Sequence, residues 1–445
     1  MDIILPLAMV VTLLLGILSG YPVALVMGGV SSIFLLISDL PLAFFDMMIS
    51  RIYSNAIDGW LFIAIPMFVL MGLLLERTGL ARDSFKVTEY LFRHIPSHLA
   101  LTVLLLGSLL AATTGVVGAS VILLSVIALP KMLENGYSPS LTAGLISASG
   151  TLSILMPPSV MLIVMSNLVS VSVGTLFKAA LVPSAMIVII YAIYVMFSSE
   201  INRQVNNTSY PSARGIQEAE HLERGFFQSL LSLAPFMLLI PSVLGTIILG
   251  VATPTEASGL GVLAVLSFAI LTKKLRLKDM LSASRDTAVA SSMIMFLVIT
   301  ATCFSLTFKG VGGDQMIHGL VDMMGGSDWG ALILMMLLVF FLGFFLDWLE
   351  ISLILMPLLS PIVMQLDLGN DLSGTQLMAW FAILVAINLQ SSFLTPPFGV
   401  SLFYLKGAVG EAISTPHIYR GVVPFIIIQI IVVVLVMMFP NLLAI

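Results

Sequence analysis

The chain has 445 residues, of which 59% are apolar and 9% charged, with a mean hydropathy of +1.13. Soluble domains carry roughly 25% charged residues, so an ordinary globular protein is excluded; apolar runs recur from residue 3 to residue 445, and the chain reads as integral to the membrane throughout. A net charge of −5 argues against nucleic acid as a partner, and the single cysteine, Cys303, allows neither an intrachain disulfide nor a cysteine-based metal cage.

The first apolar run opens Met1-Asp2-Ile3-Ile4, with no basic segment and no small-residue cleavage site before Gly20-Tyr21-Pro22. It reads as a membrane helix and not as a signal peptide. Spans of the length a bilayer requires follow at 3–19, 22–37 and 59–75. Segment 76–98 is charged, with Leu80, Phe85, Val87, Leu91 and Ile95 spaced among the charges. It is either an interfacial amphipathic helix or an ordinary polar loop helix.

Leu99 to Leu133 holds no charge before Lys131, yet as one helix it would reach about 52 Å. It must break. The run Thr113-Thr114-Gly115-Val116-Val117-Gly118-Ala119-Ser120 marks the place, since glycines and hydroxyls suit a tight turn. Arms of about 14 residues, roughly 21 Å each, are too short to cross singly, which predicts a re-entrant hairpin over 99–133. Segment 139–170 contains Met156-Pro157-Pro158-Ser159. Proline removes a backbone donor and clashes one turn back, so this segment reads as two half-helices around an unwound middle. A span at 173–197 follows. Residues 198–228 form the one long polar stretch, read as a solvated linker.

The second part of the chain repeats the plan. Spans fall at 229–249, 255–272 and 287–307, followed by a second hairpin at 329–366 whose tip is Leu346-Asp347-Trp348-Leu349-Glu350-Ile351-Ser352. Segment 374–410 is broken by Thr395-Pro396-Pro397-Phe398, and a span at 418–440 closes the chain. Pro22 and Pro254 are offset by 232 residues, and the double prolines by 239. This near-constant offset indicates an internal duplication, with repeats at 1–197 and 229–445. Five crossings per copy make the second copy inverted. The expected fold is therefore an all-α polytopic membrane protein with an inverted structural repeat, two re-entrant hairpins and two broken helices.

Charge tests the topology separately. With the N-terminus outside, all but Arg51, Lys178 and Lys309 of the 18 basic residues fall in cytoplasmic segments, as the positive-inside rule requires.

Inverted repeats with interrupted helices form a secondary-transporter pattern, in which half-helix ends meet near the midplane. No Lys or Arg lies in either tip or near either double proline; Lys406, toward the end of 374–410, is the one basic residue of the two broken segments. An anion there would be held by backbone N–H groups, hydroxyls and co-bound cations. Oxygen-bearing side chains cluster at the first break (Thr113, Thr114, Ser120, Ser149, Thr151, Ser153) and the second (Asp347, Glu350, Ser352, Asn388, Gln390, Ser391, Ser392, Thr395). They are Na⁺ ligands or helix-packing hydroxyls. Asp347 and Glu350 are either functional carboxylates at membrane depth or groups wetted at the outer interface. Glu256, after Thr253-Pro254-Thr255, reads as an N-terminal helix charge. The five histidines, at positions 94, 98, 221, 318 and 417, fit neither haem nor zinc, and no phosphate-cradling Gly-Lys-Ser/Thr motif exists. ATP hydrolysis and enzyme chemistry are not expected. An ion channel lined by the broken segments is the alternative outside carriers.

The series Thr114-Gly115, Gly118-Ala119-Ser120, Glu134-Asn135-Gly136-Tyr137-Ser138, Gly150-Thr151, Met156-Pro157-Pro158-Ser159 and Val173-Gly174-Thr175-Leu176-Phe177 resembles the large membrane subunit of tripartite ATP-independent periplasmic (TRAP) transporters. So do Ala252-Thr253-Pro254-Thr255-Glu256-Ala257 and Leu394-Thr395-Pro396-Pro397-Phe398-Gly399. The resemblance covers nearly the whole chain. It implies a sodium-driven elevator in the bacterial inner membrane, importing a small organic anion. It also implies a small four-helix membrane subunit and a periplasmic substrate-binding protein. No extra helices precede residue 3, so the small subunit is expected to be a separate polypeptide. A binding-protein-independent anion:sodium symporter of related architecture is the alternative among carriers.

Carried over by position, Gly118, Ser120, Gly150 and Thr151 would frame one Na⁺ site, and Asp347, Glu350, Asn388, Ser391 and Thr395 the other. Substrate would lie near Thr151, Pro158, Ser392 and Pro397. The stretches Gly343-Phe344-Phe345-Leu346-Asp347-Trp348-Leu349-Glu350 and Asn388-Leu389-Gln390-Ser391-Ser392-Phe393 look like the branch associated with 2-oxo acids and related monocarboxylates.

Overall fold

The computed structural model describes residues 4–443 apart from 39, 42, 55–58, 60, 96, 207–225, 324–326, 370, 371 and 373. Among the described residues the regular structure is entirely helical. The first part holds α1 (Ile4–Leu18), α2 (Val23–Ile37), α3 (Ala43–Ile52), α4 (Leu61–Arg77) and α5 (Leu80–Phe92). Then come α6 (His98–Thr114), α7 (Val117–Glu134), α8 (Pro139–Thr151) with a 3-10 turn at Leu152–Ile154, α9 (Val160–Leu168) and α10 (Val173–Asn206). The second part holds α11 (Phe226–Ile248), α12 (Pro254–Leu271), α13 (Leu277–Gly310), α14 (Gly313–Met323) and α15 (Asp328–Leu342). It ends with α16 (Trp348–Val363), α17 (Gly374–Leu394), α18 (Val400–Val409) and α19 (Thr415–Met438). Six of these helices are each long and apolar enough to cross a membrane alone.

Several boundaries differ from those read in the sequence, each for a local reason. The break between α6 and α7 is only Gly115 and Val116, because Gly115 adopts a left-handed φ of 63° and turns the chain at once. Gly118 and Ser120 therefore lie in the first turn of α7, not in a loop. The arms are 17 and 18 residues, longer than expected, and α7 alone is among the six span-length helices. Likewise Glu350 and Ser352 lie in α16, since the break after α15 ends at Asp347, the cap of α16. The predicted linker 198–228 begins too early: α10 continues to Asn206 and α11 starts at Phe226, while 207–225 lie outside the described residues. Helix α13 starts ten residues before the span placed at 287, so its charged first turns project past the apolar stretch. The short helices α3 and α14 were not expected.

Helix α5 turns 65° away from α4. It buries Leu80, Phe85 and Val87 against α6 and α11, while Leu91 and Ile95 stay exposed. Most of its apolar stripe thus faces protein. Three ion pairs surround it: Lys131 to Glu89 at 2.7 Å, Arg77 to Asp286, and Lys274 to Asp83. All join segments that the charge pattern assigns to one face of the membrane.

Packing between the two parts is reciprocal. Helix α2 packs on α13 while α12 packs on α4, and α9 packs on α16 while α18 packs on α7. Arms α6 and α7 both contact α8, as α15 and α16 both contact α17. The tightest crossing lies between α8 and α19, where a Cβ on Gly144 would strike the Gly421 carbonyl oxygen and one on Gly421 the Ser140 carbonyl oxygen. Paired small residues let helix backbones approach this closely.

Candidate functional site

The four interruptions of the helices are not scattered. Helix α17 touches α8, the following 3-10 turn and α9, so the two broken helices meet. Gly150, near the end of α8, is packed so closely on α7 that a Cβ there would sit 3.2 Å from the Val121 amide nitrogen. Gly118 is as tightly covered: a Cβ would lie 2.8 Å from Cζ of Tyr404 on α18. Tyr404 is in turn within electrostatic range of Asp347 at the second break. Phe345, in that break, and Phe398, between α17 and α18, bring their rings to 5.2 Å. Gly118 against Tyr404 and Phe345 against Phe398 thus join three of the interruptions by direct contacts, and Gly150 brings the end of α8 onto the same helix as Gly118.

At the first break Thr151 is fully buried and its Oγ1 donates to the Ala148 carbonyl at 2.9 Å. Ser153 Oγ donates to the Gly150 carbonyl at 2.9 Å, and Ser120 is fully buried. Ser159 Oγ lies 3.0 and 2.8 Å from the carbonyl oxygens of Ser153 and Ile154, closing the unwound turn. Pro158 is buried beside it. A hydroxyl that donates to a carbonyl keeps its oxygen lone pairs, so Thr151 and Ser153 remain acceptors able to face a cation.

The second break divides into ties and free groups. Asn388 Nδ2 donates to the Met336 carbonyl at 2.6 Å, and Ser392 Oγ to the Phe340 carbonyl at 2.7 Å. Both bind α17 to the middle and end of α15, not to the tip, which leaves Asn388 its amide oxygen as acceptor. Ser391 Oγ donates to the Ile387 carbonyl at 3.0 Å and Thr395 Oγ1 to the Ser391 carbonyl at 2.8 Å, one turn back on their own helix. Pro397 is exposed, unlike Pro158, and its carbonyl accepts from the Tyr419 hydroxyl at 3.3 Å.

The two carboxylates have different surroundings. Asp347 is exposed, whereas Glu350 is buried. Glu350 Oε2 accepts from the Asp347 amide at 3.1 Å in a capping box that starts α16. The same device starts α12, where Glu256 Oε2 accepts from the Thr253 amide at 2.8 Å. The structural role read for Glu256 is thus the observed one, and Glu350 performs it too.

Two residues stand out, one outside the oxygen-bearing clusters read in the sequence and one within the second of them. Tyr404 carries no local signal in sequence, being one aromatic in an apolar helix. Gln390, between Asn388 and Ser391, is fully buried with neither its amide nitrogen nor its amide oxygen paired. Buried amides are normally satisfied. Among the described residues no cluster of three or more His, Cys, Asp or Glu could hold a metal.

Comparison with known proteins covers the chain nearly end to end. The chain is 28% identical to the uncharacterized protein YgiK of Salmonella typhimurium, covering 95% of this chain and 92% of the relative. It is 26% identical to the C4-dicarboxylate TRAP transporter large permease protein DctM of Pseudomonas aeruginosa, covering 86% of this chain and 85% of that one. For the ectoine TRAP transporter large permease protein TeaC of Halomonas elongata the figure is 27%, over 85% and 84%. The solved structure of the Alcanivorax borkumensis YdaH transporter superposes with a TM-score of 0.60 over 99% of both chains, at 11% identity, a likeness of fold. The family described as tripartite ATP-independent periplasmic transporter, DctM component, matches residues 10–442, and the chain belongs to it: a multi-pass protein of the bacterial inner membrane that works with a small membrane subunit and a periplasmic substrate-binding protein.

Proposed function

We propose that this subunit imports a small carboxylate-bearing anion together with Na⁺, moving the joined interruptions across the membrane as one body in an elevator cycle. The observation that carries the reading is the meeting of the two broken helices, with Gly118 of the first hairpin against Tyr404 on α18 and Phe345 of the second hairpin break against Phe398. Reciprocal packing between the halves supports an inverted duplication, and the three ion pairs gathered on one face support the charge-based orientation.

The first Na⁺ site is assigned to Gly118, Ser120, Gly150 and Thr151. There Gly150 brings α8 onto α7, Gly118 brings α7 onto α18, and buried hydroxyls with freed carbonyls supply hard oxygen donors. The second is assigned to Asp347, Glu350, Asn388, Ser391 and Thr395, with Asp347 the charged member. Thr151, Pro158, Ser392 and Pro397 line the substrate between them. Pro397 is the open edge and Pro158 the sealed one. The stretches around Asp347 and Asn388 favour 2-oxo acids and related monocarboxylates.

Proteoliposomes holding this chain, its small subunit and the loaded binding protein test the reading. Uptake should require an inward Na⁺ gradient and should stop when the binding protein is omitted. Uptake driven by ATP alone overturns it. Uptake without the binding protein selects the independent symporter, and unitary currents in planar bilayers select the channel.

A further inference from the structure

The charge pattern leaves three basic residues, Arg51, Lys178 and Lys309, off the cytoplasmic face. The structure shows what they share. Lys178 lines a cavity of about 620 Å³ between the α9–α10 and α11–α12 turns, while Arg51 and Lys309 line a second of about 270 Å³ among α3, α9, α13 and α16. Asn167, at the end of α9, is a wall of both. Among the described residues no Asp or Glu lines either one. All three cations are exposed, and none pairs with an acidic group among the described residues.

Their height in the membrane follows from α13. Lys309 lies about 35 Å along this continuous helix from Asp286, whose partner Arg77 belongs to the cytoplasmic ion-pair face. That distance is a bilayer thickness, so both cavities open on the far side. Around the cations the walls are rich in hydrogen-bonding groups: Ser170 and Thr175 in the larger cavity, Thr302 and Ser305 in the smaller. Three like charges in cavities that no described Asp or Glu lines focus a positive potential, which raises the local concentration of anions. Their volumes suit small molecules.

We propose that Arg51, Lys178 and Lys309 form an extracytoplasmic vestibule, two cavities joined at Asn167, that gathers the carboxylate solute before it reaches the interrupted helices. The proposal rests on the transport reading above for its solute, but its electrostatics can be measured without transport.

The test uses the full complex with Cys303→Ser and Asn167→Cys, so that the introduced thiol alone reports from this chain. The anionic sulfonatoethyl methanethiosulfonate should react faster there than its trimethylammonium counterpart. Replacing Arg51, Lys178 and Lys309 together by Gln should cut that rate ratio about tenfold. Pyruvate or succinate, against chloride at equal ionic strength, should slow labelling in the parent and not in the triple variant. Ser305→Cys repeats the measurement from the smaller cavity if the Asn167 variant does not fold. A ratio unmoved by the three substitutions, or protection by substrate-free binding protein with none by free carboxylate, overturns the vestibule. Failure of Na⁺-driven uptake with these labelling results intact overturns the transport reading instead.

Discussion

Gly118 and Tyr404 touch across the two halves of the chain: the space a Cβ on Gly118 would need is filled by the ring of Tyr404, 2.8 Å from Cζ. A side chain at 118 must push α7 away from α18 or swing the tyrosine aside. Overpacking of this kind costs about 1–3 kcal/mol. Gly118→Ala should therefore lower the melting temperature of the purified complex and reduce Na⁺-driven uptake, and Tyr404→Ala in the same chain should restore most of the stability. A double-mutant cycle in thermal denaturation measures the coupling. Additive effects would mean that the two residues do not meet.

The crossing of α8 and α19 makes a sharper demand. A Cβ on Gly144 collides with the Gly421 carbonyl, and backbone cannot rotate away as a side chain can. Gly144→Ala should abolish recovery of monodisperse protein or cost more than about 3 kcal/mol. Gly29→Ala, with nothing within 4 Å of the added carbon, should be neutral. Size-exclusion chromatography of fluorescently tagged protein in detergent separates the two.

How much of this was legible beforehand depended on whether the cause was local. Pro157-Pro158 and Pro396-Pro397 mark the breaks because two prolines in a row remove two successive backbone donors and clash one turn back, whereas single prolines such as Pro66, Pro130 and Pro357 stay inside helices. The hairpin between α6 and α7 was visible as an apolar run too long for one span. The extent of its turn is not legible in the sequence, because glycines and hydroxyls at 118–120 look the same in a loop as in the first turn of a helix. Gly118 is there to admit Tyr404, a partner far away in sequence, and no periodicity reports such a contact. Asn388 and Ser392 are named by the sequence only as polar groups near the second break. Their tie to α15 carbonyls is a tertiary fact, set by which face of α17 meets the hairpin. The three unassigned cations were visible as a remainder, but only the fold joins them at Asn167.

Gln390 offers a choice between structure and function. If its unpaired amide were only a buried liability, replacing it by Leu would stabilise the chain, because burying an unsatisfied amide costs about 1–3 kcal/mol. If the amide faces the solute or ion path, Gln390→Leu should keep or raise the melting temperature while uptake falls at least tenfold. The second outcome is the expected one, since Gln390 stands between Asn388 and Ser391 on the helix that meets the first break. Parallel measurement of melting and of initial uptake rate decides it. Full uptake by a stabilised Gln390→Leu protein would remove the residue from the site.

Glu350 separates capping from charge. Its Oε2 holds the Asp347 amide, and a glutamine oxygen accepts the same hydrogen bond, so Glu350→Gln should leave α16 and the melting temperature intact. Glu350→Ala loses the cap and should cost about 1 kcal/mol. Na⁺ dependence is the discriminating readout. A carboxylate that helps neutralise Na⁺ cannot be replaced by a neutral amide without raising the Na⁺ concentration at half-maximal uptake, whereas a pure cap can. With Asp347 beside it as the exposed charge, we expect Asp347→Asn to raise that concentration more than Glu350→Gln does. Equal uptake by Asp347→Asn and the parent at every Na⁺ concentration would take the second ion away from this tip.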